Sequence, residues 1–412
     1  MTVEGGALEA RIRGGTVMGA GRLTPPMPSY LLRLECSHCQ QAHDARLRQT
    51  VCRGCGSALR AVYDLPRLRK DHPEPPWADR APGLWRYEEL LPLEHPTEAV
   101  RLGETQSPIL TLDPPEGGAD LRVLMKDDGV LPTGSFKARG MALAVSRARA
   151  LGLRSLYVPS AGNAGVALSA YGARAGLRVR VYLPESTPAS VGRRCAEFGA
   201  EVVSVPGTIA DAGRAARARE PPESFDVSTL REPYRWQGKK TMGLELFDQF
   251  GPDRRPGAIL YPTGGGTGLV GLWSAFEELR SLGWLTGPLP RLFAVQPERC
   301  APVVQALKSG AEEVTPWPEP ETVAPGLLVP SPFSSRAILG AVRASGGGGI
   351  TVPDAEILRA QAELRHRQGV SVCPEGAATW AALPRLLAEG RLGSHETVLL
   401  YNTGSGLLYG RE

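Results

Sequence analysis

From about residue 100 onward, short apolar runs alternate with stretches whose apolar residues recur at helical spacing. That is the pattern of parallel α/β architecture. The strands it predicts are ILTLD (109–113), LRVLMK (121–126), SLYVPS (155–160), RVRVYLP (178–184), AEVVSVP (200–206), AILYPT (258–263), RLFAVQP (291–297) and TVLLYNT (397–403). Helical patterns cover 136–151, 164–175, 188–198, 238–250, 268–282, 353–367 and 376–389. Strands this apolar belong to sheets covered by helices on both faces. The fold class expected is α/β, with two doubly wound parallel-sheet domains. The βα units of 142–234 form a small domain, and 61–141 with 235–412 form the larger one.

Three regions break the pattern. Residues 1–30 read as a flexible N-terminal extension, and Met18 and Met27 leave room for a later start. Between about 61 and 100, Pro66, HPEPPW and RAPGLW predict a stiff connector. Residues 311–346, rich in Pro, Gly and Ser and followed by SGGGG (345–349), read as a long mobile loop over an active site. The uncharged run Pro256–Phe276 is long enough for a membrane span, but PTGGGTG in its middle makes it strand, loop and helix.

Composition narrows the function classes. The 412 residues carry 47 basic and 43 acidic side chains, a net charge of +4, without a dense basic run. Nucleic-acid binding therefore finds no electrostatic support. No apolar leader opens the chain, so a soluble cytoplasmic protein is expected, with no membrane partner.

Four of the seven cysteines form CSHC (Cys36, Cys39) and CRGC (Cys52, Cys55). Two such knuckles can place four thiolates tetrahedrally around one Zn²⁺. Residues 31–60 are therefore expected to be a zinc ribbon, with Gly54 and Gly56 helping a turn whose N–H groups point at sulfur. With little basic charge around it, the ribbon reads as structural. Disulfides would need an oxidising compartment that nothing else suggests. Cys195, Cys300 and Cys373 read as isolated core or surface thiols.

Three polar turns sit at expected strand ends, where open parallel sheets collect ligands: PSAGNAG (159–165), PTGGGTGLVG (262–271) and NTGSG (402–406). In the second, Gly264, Gly265, Gly266 and Gly268 allow close backbone approach, Thr267 adds a hydroxyl, and a helix start supplies free N–H groups. A phosphate suits that turn. The same turn spells G-x-G-x-x-G through Gly266, Gly268 and Gly271, which would suit a dinucleotide. The acidic residue that reading needs is poorly placed, since the next strand ends in VQPE. Asn163 and Ser160 offer an amide and a hydroxyl, for a cofactor hydroxyl and a carboxylate respectively. Thr403 and Ser405 offer hydroxyls to a ring nitrogen. Ahead of these turns, TGSFKARG puts Lys137 on a turn that opens a helix. By itself this is an ordinary helix-start lysine beside a capping serine. Set between such turns, it suits Schiff-base chemistry with pyridoxal phosphate.

TGSFKARG, SAGNAG, TGGGTG and NTGSG occur in the order found in fold-type II pyridoxal-phosphate enzymes, and the chain resembles the threonine synthase family among them. LGETQSPIL (102–110) is similar to that family's LGE-x-x-(S/T)PL segment, and QGKKTMGLEL (237–246) to its EGQKT helix. A four-cysteine ribbon is common there too. The resemblance covers nearly all of 31–409 and implies a homodimer. It makes Lys137 the Schiff-base lysine, Asn163 the partner of the pyridine 3′-oxygen, Gly264 to Gly268 the phosphate cradle and Thr403 the contact of the ring nitrogen. A neutral hydroxyl there favours elimination over transamination. The implied reaction converts O-phosphohomoserine and water to threonine and phosphate. Ser135, Ser160, Lys239, Lys240 and Arg139 are the candidates for holding substrate. Two departures bear on specificity: Ala138 replaces the aspartate of SFKDRG, and Leu408 the lysine of TGSGLK. SFKARG leans toward serine/threonine ammonia-lyases and β-replacement enzymes, the alternative reading; an NAD(P)-dependent oxidoreductase using Gly266, Gly268 and Gly271 is a third.

Overall fold

The computed structural model describes residues 29–115, 118, 120–251 and 255–409. Most of the expected N-terminal extension, with Met18 and Met27, lies outside them. In chain order the strands are β1 Leu31–Cys36, β2 Ala42–His43, β3 Leu59–Tyr63, β4 Ile109–Leu112, β5 Arg122–Asp127, β6 Ser155–Pro159, β7 Arg178–Pro184, β8 Glu201–Val205, β9 Phe225–Asp226, β10 Ala258–Pro262, β11 Arg291–Pro297, β12 Gly348–Val352 and β13 Thr397–Asn402. The helices are α1 Leu65–Asp71, α2 Lys137–Ala150, α3 Asn163–Ala175, α4 Ala189–Glu197, α5 Ile209–Arg219, α6 Tyr234–Phe250, α7 Thr267–Ser281, α8 Pro302–Ser309, α9 Ser335–Ala344, α10 Asp354–Gln368 and α11 Pro374–Ala388.

They build a six-stranded sheet, β12-β11-β10-β13-β5-β4, parallel except at β4, and a four-stranded parallel sheet, β8-β7-β6-β9. Every residue of β10 is buried, as a central strand covered on both faces requires. The described chain has no helix long and apolar enough to cross a membrane, and 256–276 divides between β10, a turn and α7. A third sheet, β2-β1-β3, is antiparallel and carries the first four cysteines around it.

Two expectations need correction. The segment 311–349 is not simply a loop: α9 buries Ile338, Leu339 and Val342, and the glycines of SGGGG enter β12. Glycine is needed there because a Cβ at Gly349 would crowd Val304 and one at Gly347 would strike the Leu292 backbone. Nor is 61–100 a bare connector. It contains α1 and buries Trp77, Trp85, Tyr87 and Leu90; Trp77 packs edge-on against Tyr87 and Trp284.

The element that positions the site is α6, buried from Tyr234 to Leu246 and wedged between α2 and α7. Two glycines bring the helices to backbone contact. A Cβ at Gly238 would strike the Arg139 carbonyl of α2, and one at Gly243 would lie 2.5 Å from Ala275 Cβ of α7. Beneath this junction lies a buried ionic network. Arg139 donates to Asp128 at 2.8 Å and to Glu245 at 2.6 Å, while Lys126 donates to Glu245 at 2.9 Å and Gln249 at 2.6 Å. Buried charge is tolerated only when paired in this way.

Candidate active site

The TGSFK and NTGSG turns are clipped together past the end of β13. Phe136 N–H donates to the Thr403 carbonyl at 2.9 Å, and Ser405 N–H to the Gly134 carbonyl at 2.9 Å. The tight path puts Thr133 at φ +61° and Gly134 at φ +72°, the left-handed region. The chain then enters α2 at Lys137.

Lys137 Nζ lies 4.1 Å from the centroid of the Phe136 ring. Although part of the residue is accessible, protein packs around the ammonium and desolvates it. This burial, with Arg235 adding like charge, pushes Lys137 down to about 7, against the pull of Glu375 and Cys373. A lysine near neutrality is a nucleophile and a base at ordinary pH. Lys239 Nζ lies 3.6 Å from the same ring and donates to the Phe136 carbonyl. The Phe136 ring also meets Tyr261, at 6.5 Å between centroids, and Tyr261 Oη sits where a Cβ on Gly268 would fall. The lysine turn and the glycine turn thus belong to one site.

The glycine turn has the geometry to receive an anion. Gly266, at φ +71°, caps α7 without a side-chain hydrogen bond, so the first N–H groups of the helix have no side-chain acceptor. Added Cβ atoms at Gly264, Gly265 and Gly266 would meet Gly326 O, Thr229 Cγ2 and Ile338 respectively. Only bare backbone fits there.

The remaining groups come from α3, α11, α6 and the end of the chain. Asn163, the first residue of α3, donates to Tyr409 Oη at 3.1 Å. Burial first, and Glu375 next, push the Tyr409 phenol well above its usual range. Glu375, in the first turn of α11, accepts from Gly326 N–H at 2.6 Å and keeps its Oε2 without a described partner. Cys373 caps α11; its Sγ lies 3.7 Å from Thr403 Oγ1 and 3.3 Å from Asn402 Oδ1. From the start of α6, buried Arg235 donates to the Val227 carbonyl at 2.7 Å, and its Nε has no described partner.

The sequence candidates divide accordingly. Lys137, Asn163, Thr403 and Gly264–Gly268 are brought together. Ser135 is buried beside Gly404, its hydroxyl without a partner among the described residues. The Ser160 hydroxyl accepts the N–H of Gly165 at 3.0 Å, bracing its own turn. Lys240 and Arg139 are turned elsewhere: Lys240 faces Glu278 at 2.8 Å under the Tyr63 ring, and Arg139 belongs to the ionic network. Arg235, Glu375, Cys373 and Tyr409 were not among the candidates. Each is distant in sequence from the motif residues it meets, and no motif marks them.

The family model described as pyridoxal-phosphate dependent enzyme matches residues 100–404. A threonine synthase of Methanosarcina acetivorans is 34% identical over 91% of this chain and 91% of its own. One of Methanocaldococcus jannaschii is 32% identical over 90% of this chain and 92% of its own. The chain belongs to the threonine synthase family of pyridoxal-phosphate-dependent enzymes. Among solved structures, a threonine deaminase from T.th. superposes with a TM-score of 0.61 at 28% identity, over 74% of this chain and 93% of its own. A fungal L-serine ammonia-lyase from Rhizomucor miehei shares the fold, with a TM-score of 0.61 at 20% identity over 73% of this chain and 94% of its own.

The site fits the family's cofactor. It offers an amine held near neutrality for an aldehyde, uncapped N–H groups for a phosphate, and hydroxyls on Ser135 and Tyr261 that have no partner among the described residues. The ribbon cysteines fit a metal: their four sulfurs lie within 4.8 Å of one another. Backbone N–H groups of Cys39 and Gly54 point at Cys36 and Cys52 Sγ, both at 3.4 Å. All four are free thiols.

Proposed function

We propose that the protein converts O-phosphohomoserine and water to threonine and phosphate. The observation that carries this reading is Lys137, its amine desolvated on the Phe136–Tyr261 pair that joins it to the uncapped glycine turn. Pyridoxal phosphate, when bound, supplies an electron sink for negative charge developing at the substrate's Cα. Lys137 would hold it covalently, the N–H groups of Gly264–Gly268 would bind its phosphate, and Asn163 would donate to its ring oxygen. The Thr403 hydroxyl would face its ring nitrogen, a neutral partner that leaves the nitrogen unprotonated. Once free, the Lys137 amine takes the Cα proton and returns protons at neighbouring carbons while the γ-phosphate leaves and water adds at Cβ. Ser135 and the α3 turn at Ser160 would receive the substrate's polar groups. Arg235, buried with an Nε that has no partner among the described residues, is the cation best placed for its phosphate.

We also read Cys36, Cys39, Cys52 and Cys55 as a structural Zn²⁺ site, supported by the sulfur spacing and the N–H groups aimed at it. The four-stranded sheet supports a small domain over 142–234, with 61–141 and 235–412 as the large one. A cytoplasmic homodimer rests on family membership alone. Supplied with O-phosphohomoserine, the purified protein should release phosphate and form threonine. Ammonia released from threonine or serine, without phosphate turnover, would put the ammonia-lyase reading in its place.

A further inference from the structure

After β13 the chain makes a short helical turn, Gly406–Tyr409, and that turn is fixed at several points. Ser405 N–H donates to the Gly134 carbonyl at 2.9 Å, Gly406 N–H to the Ser371 carbonyl at 3.0 Å, and Leu408 N–H to the Ser405 carbonyl at 3.2 Å. A Cβ on Gly406 would strike the Val372 carbonyl and the Ser371 hydroxyl. The turn is thus held against the lysine turn and the entry to α11. It sets the Tyr409 phenol between Asn163 of α3 and Glu375 of α11.

Asn163 has little else to hold it. The start of α3 has no side-chain cap, and among the described residues the Asn163 amide bonds to Tyr409 Oη alone, at 3.1 Å. An amide turned one way presents two N–H donors; turned the other way it presents an oxygen. A phenol has a single hydrogen to give. Besides Asn163, Glu375 and Cys373 face the Tyr409 phenol. Glu375 spends Oε1 on the Gly326 N–H, and its Oε2, without a described partner, is open to the phenol hydrogen. With that hydrogen turned to Glu375, Tyr409 Oη can only accept. Asn163 must then offer it an N–H, and a second N–H on the same nitrogen stays free for a ligand. Turned round, the amide would set its oxygen against the lone pairs of the phenol.

We propose that Tyr409, backed by Glu375, is a positioning residue for the cofactor: it fixes the Asn163 amide the way round that gives an N–H to the ring oxygen of pyridoxal phosphate. This rests on the reading of Asn163 as the donor to that oxygen. A donor there favours the charged oxygen over the protonated one. The turn that follows the last strand, which no sequence motif marks, thereby completes the cofactor site.

The test uses the full-length protein loaded with pyridoxal phosphate. The absorption band of the lysine-bound cofactor is titrated against pH, and the cofactor's dissociation constant is measured alongside. Tyr409→Phe keeps the ring and removes the hydroxyl. It should raise the pH midpoint of the band by about half a unit or more, because without a held donor the ring oxygen keeps its proton to higher pH. Cofactor binding should weaken about threefold to tenfold. Asn163→Ala should do at least as much, and adding Tyr409→Phe to it should change neither quantity further, because the phenol acts through the amide. A merely structural role for Tyr409 would lower the thermal midpoint without moving the pH midpoint, and its effect would add to that of Asn163→Ala. A wild-type pH midpoint and affinity in Tyr409→Phe, or full additivity in the double variant, would overturn the inference. Asn163→Ala with the wild-type band and affinity would instead overturn the reading of Asn163 on which it rests.

Discussion

At the scale of single residues, Lys137 bears on stability as well as on the proposed activity. Its folded-state value of about 7 lies below that of a lysine in the unfolded chain, burial being the first cause. As pH falls from about 10 toward 7, the unfolded chain takes up a proton that the folded one refuses, and the fold loses stability; below 7 both are protonated and the loss stops. The cofactor-free Lys137→Met protein should therefore unfold at higher urea than wild type at pH 7, by about 1–2 kcal/mol, with a smaller gap near pH 10. Equal midpoints at both pH values would show that the ammonium is not desolvated. Lys137 was legible because its motif is local. Arg235, Glu375 and Tyr409 were not, because only the folded chain brings the starts of α6 and α11 to one amine and the end of the chain to Asn163 and Glu375. Ala138, a departure from the family pattern, proves fully buried in the α2 core, where a carboxylate would need a partner. Leu408, the other departure, packs on Gly134 just before the lysine turn.

At the scale of elements, the α2–α6–α7 junction holds the site in register. Gly238→Ala would push a methyl into the Arg139 carbonyl and part α2 from α6. It should cost about 1–3 kcal/mol in urea unfolding and weaken cofactor retention, since α2 carries Lys137 and α6 carries Arg235 and Lys239. Glu245→Ala would strip the shared partner from Arg139 and Lys126. Its cost should be about 3–5 kcal/mol by the same measurement, because buried Lys126 loses its neutralising charge and buried Arg139 keeps only Asp128. Most strands and helices of the two parallel sheets could be read from periodicity, to within a few residues. The failures have a physical source. In 311–349 glycine normally marks a loop, yet β12 uses it to fit against β11 and α8. Proline in 66–96 suggested stiffness, yet it lies among tryptophans and leucines buried against α6 and α7.

At the scale of the whole molecule, the cysteine ribbon is tied to both parallel sheets. Tyr63 donates to Gln237 of α6 at 3.1 Å, Arg147 of α2 to the Ala45 carbonyl at 2.9 Å, and Arg48 to the Ser224 carbonyl beside β9 at 2.7 Å. A ribbon this small cannot hold its shape by burial alone. The protein should carry about one zinc per chain by elemental analysis. Cys36→Ser should lose the metal and lower the thermal midpoint, whereas Cys300→Ser should keep it. Retained zinc in Cys36→Ser would exclude the four-thiolate site. The central claim is that Lys137 and its surroundings carry out threonine synthase chemistry, and simultaneous assay of phosphate, threonine and ammonia from O-phosphohomoserine tests it most directly. One phosphate and one threonine per turnover, without ammonia, and none of either in Lys137→Ala, is the predicted result. Ammonia in place of threonine, or turnover that survives in Lys137→Ala, would contradict it.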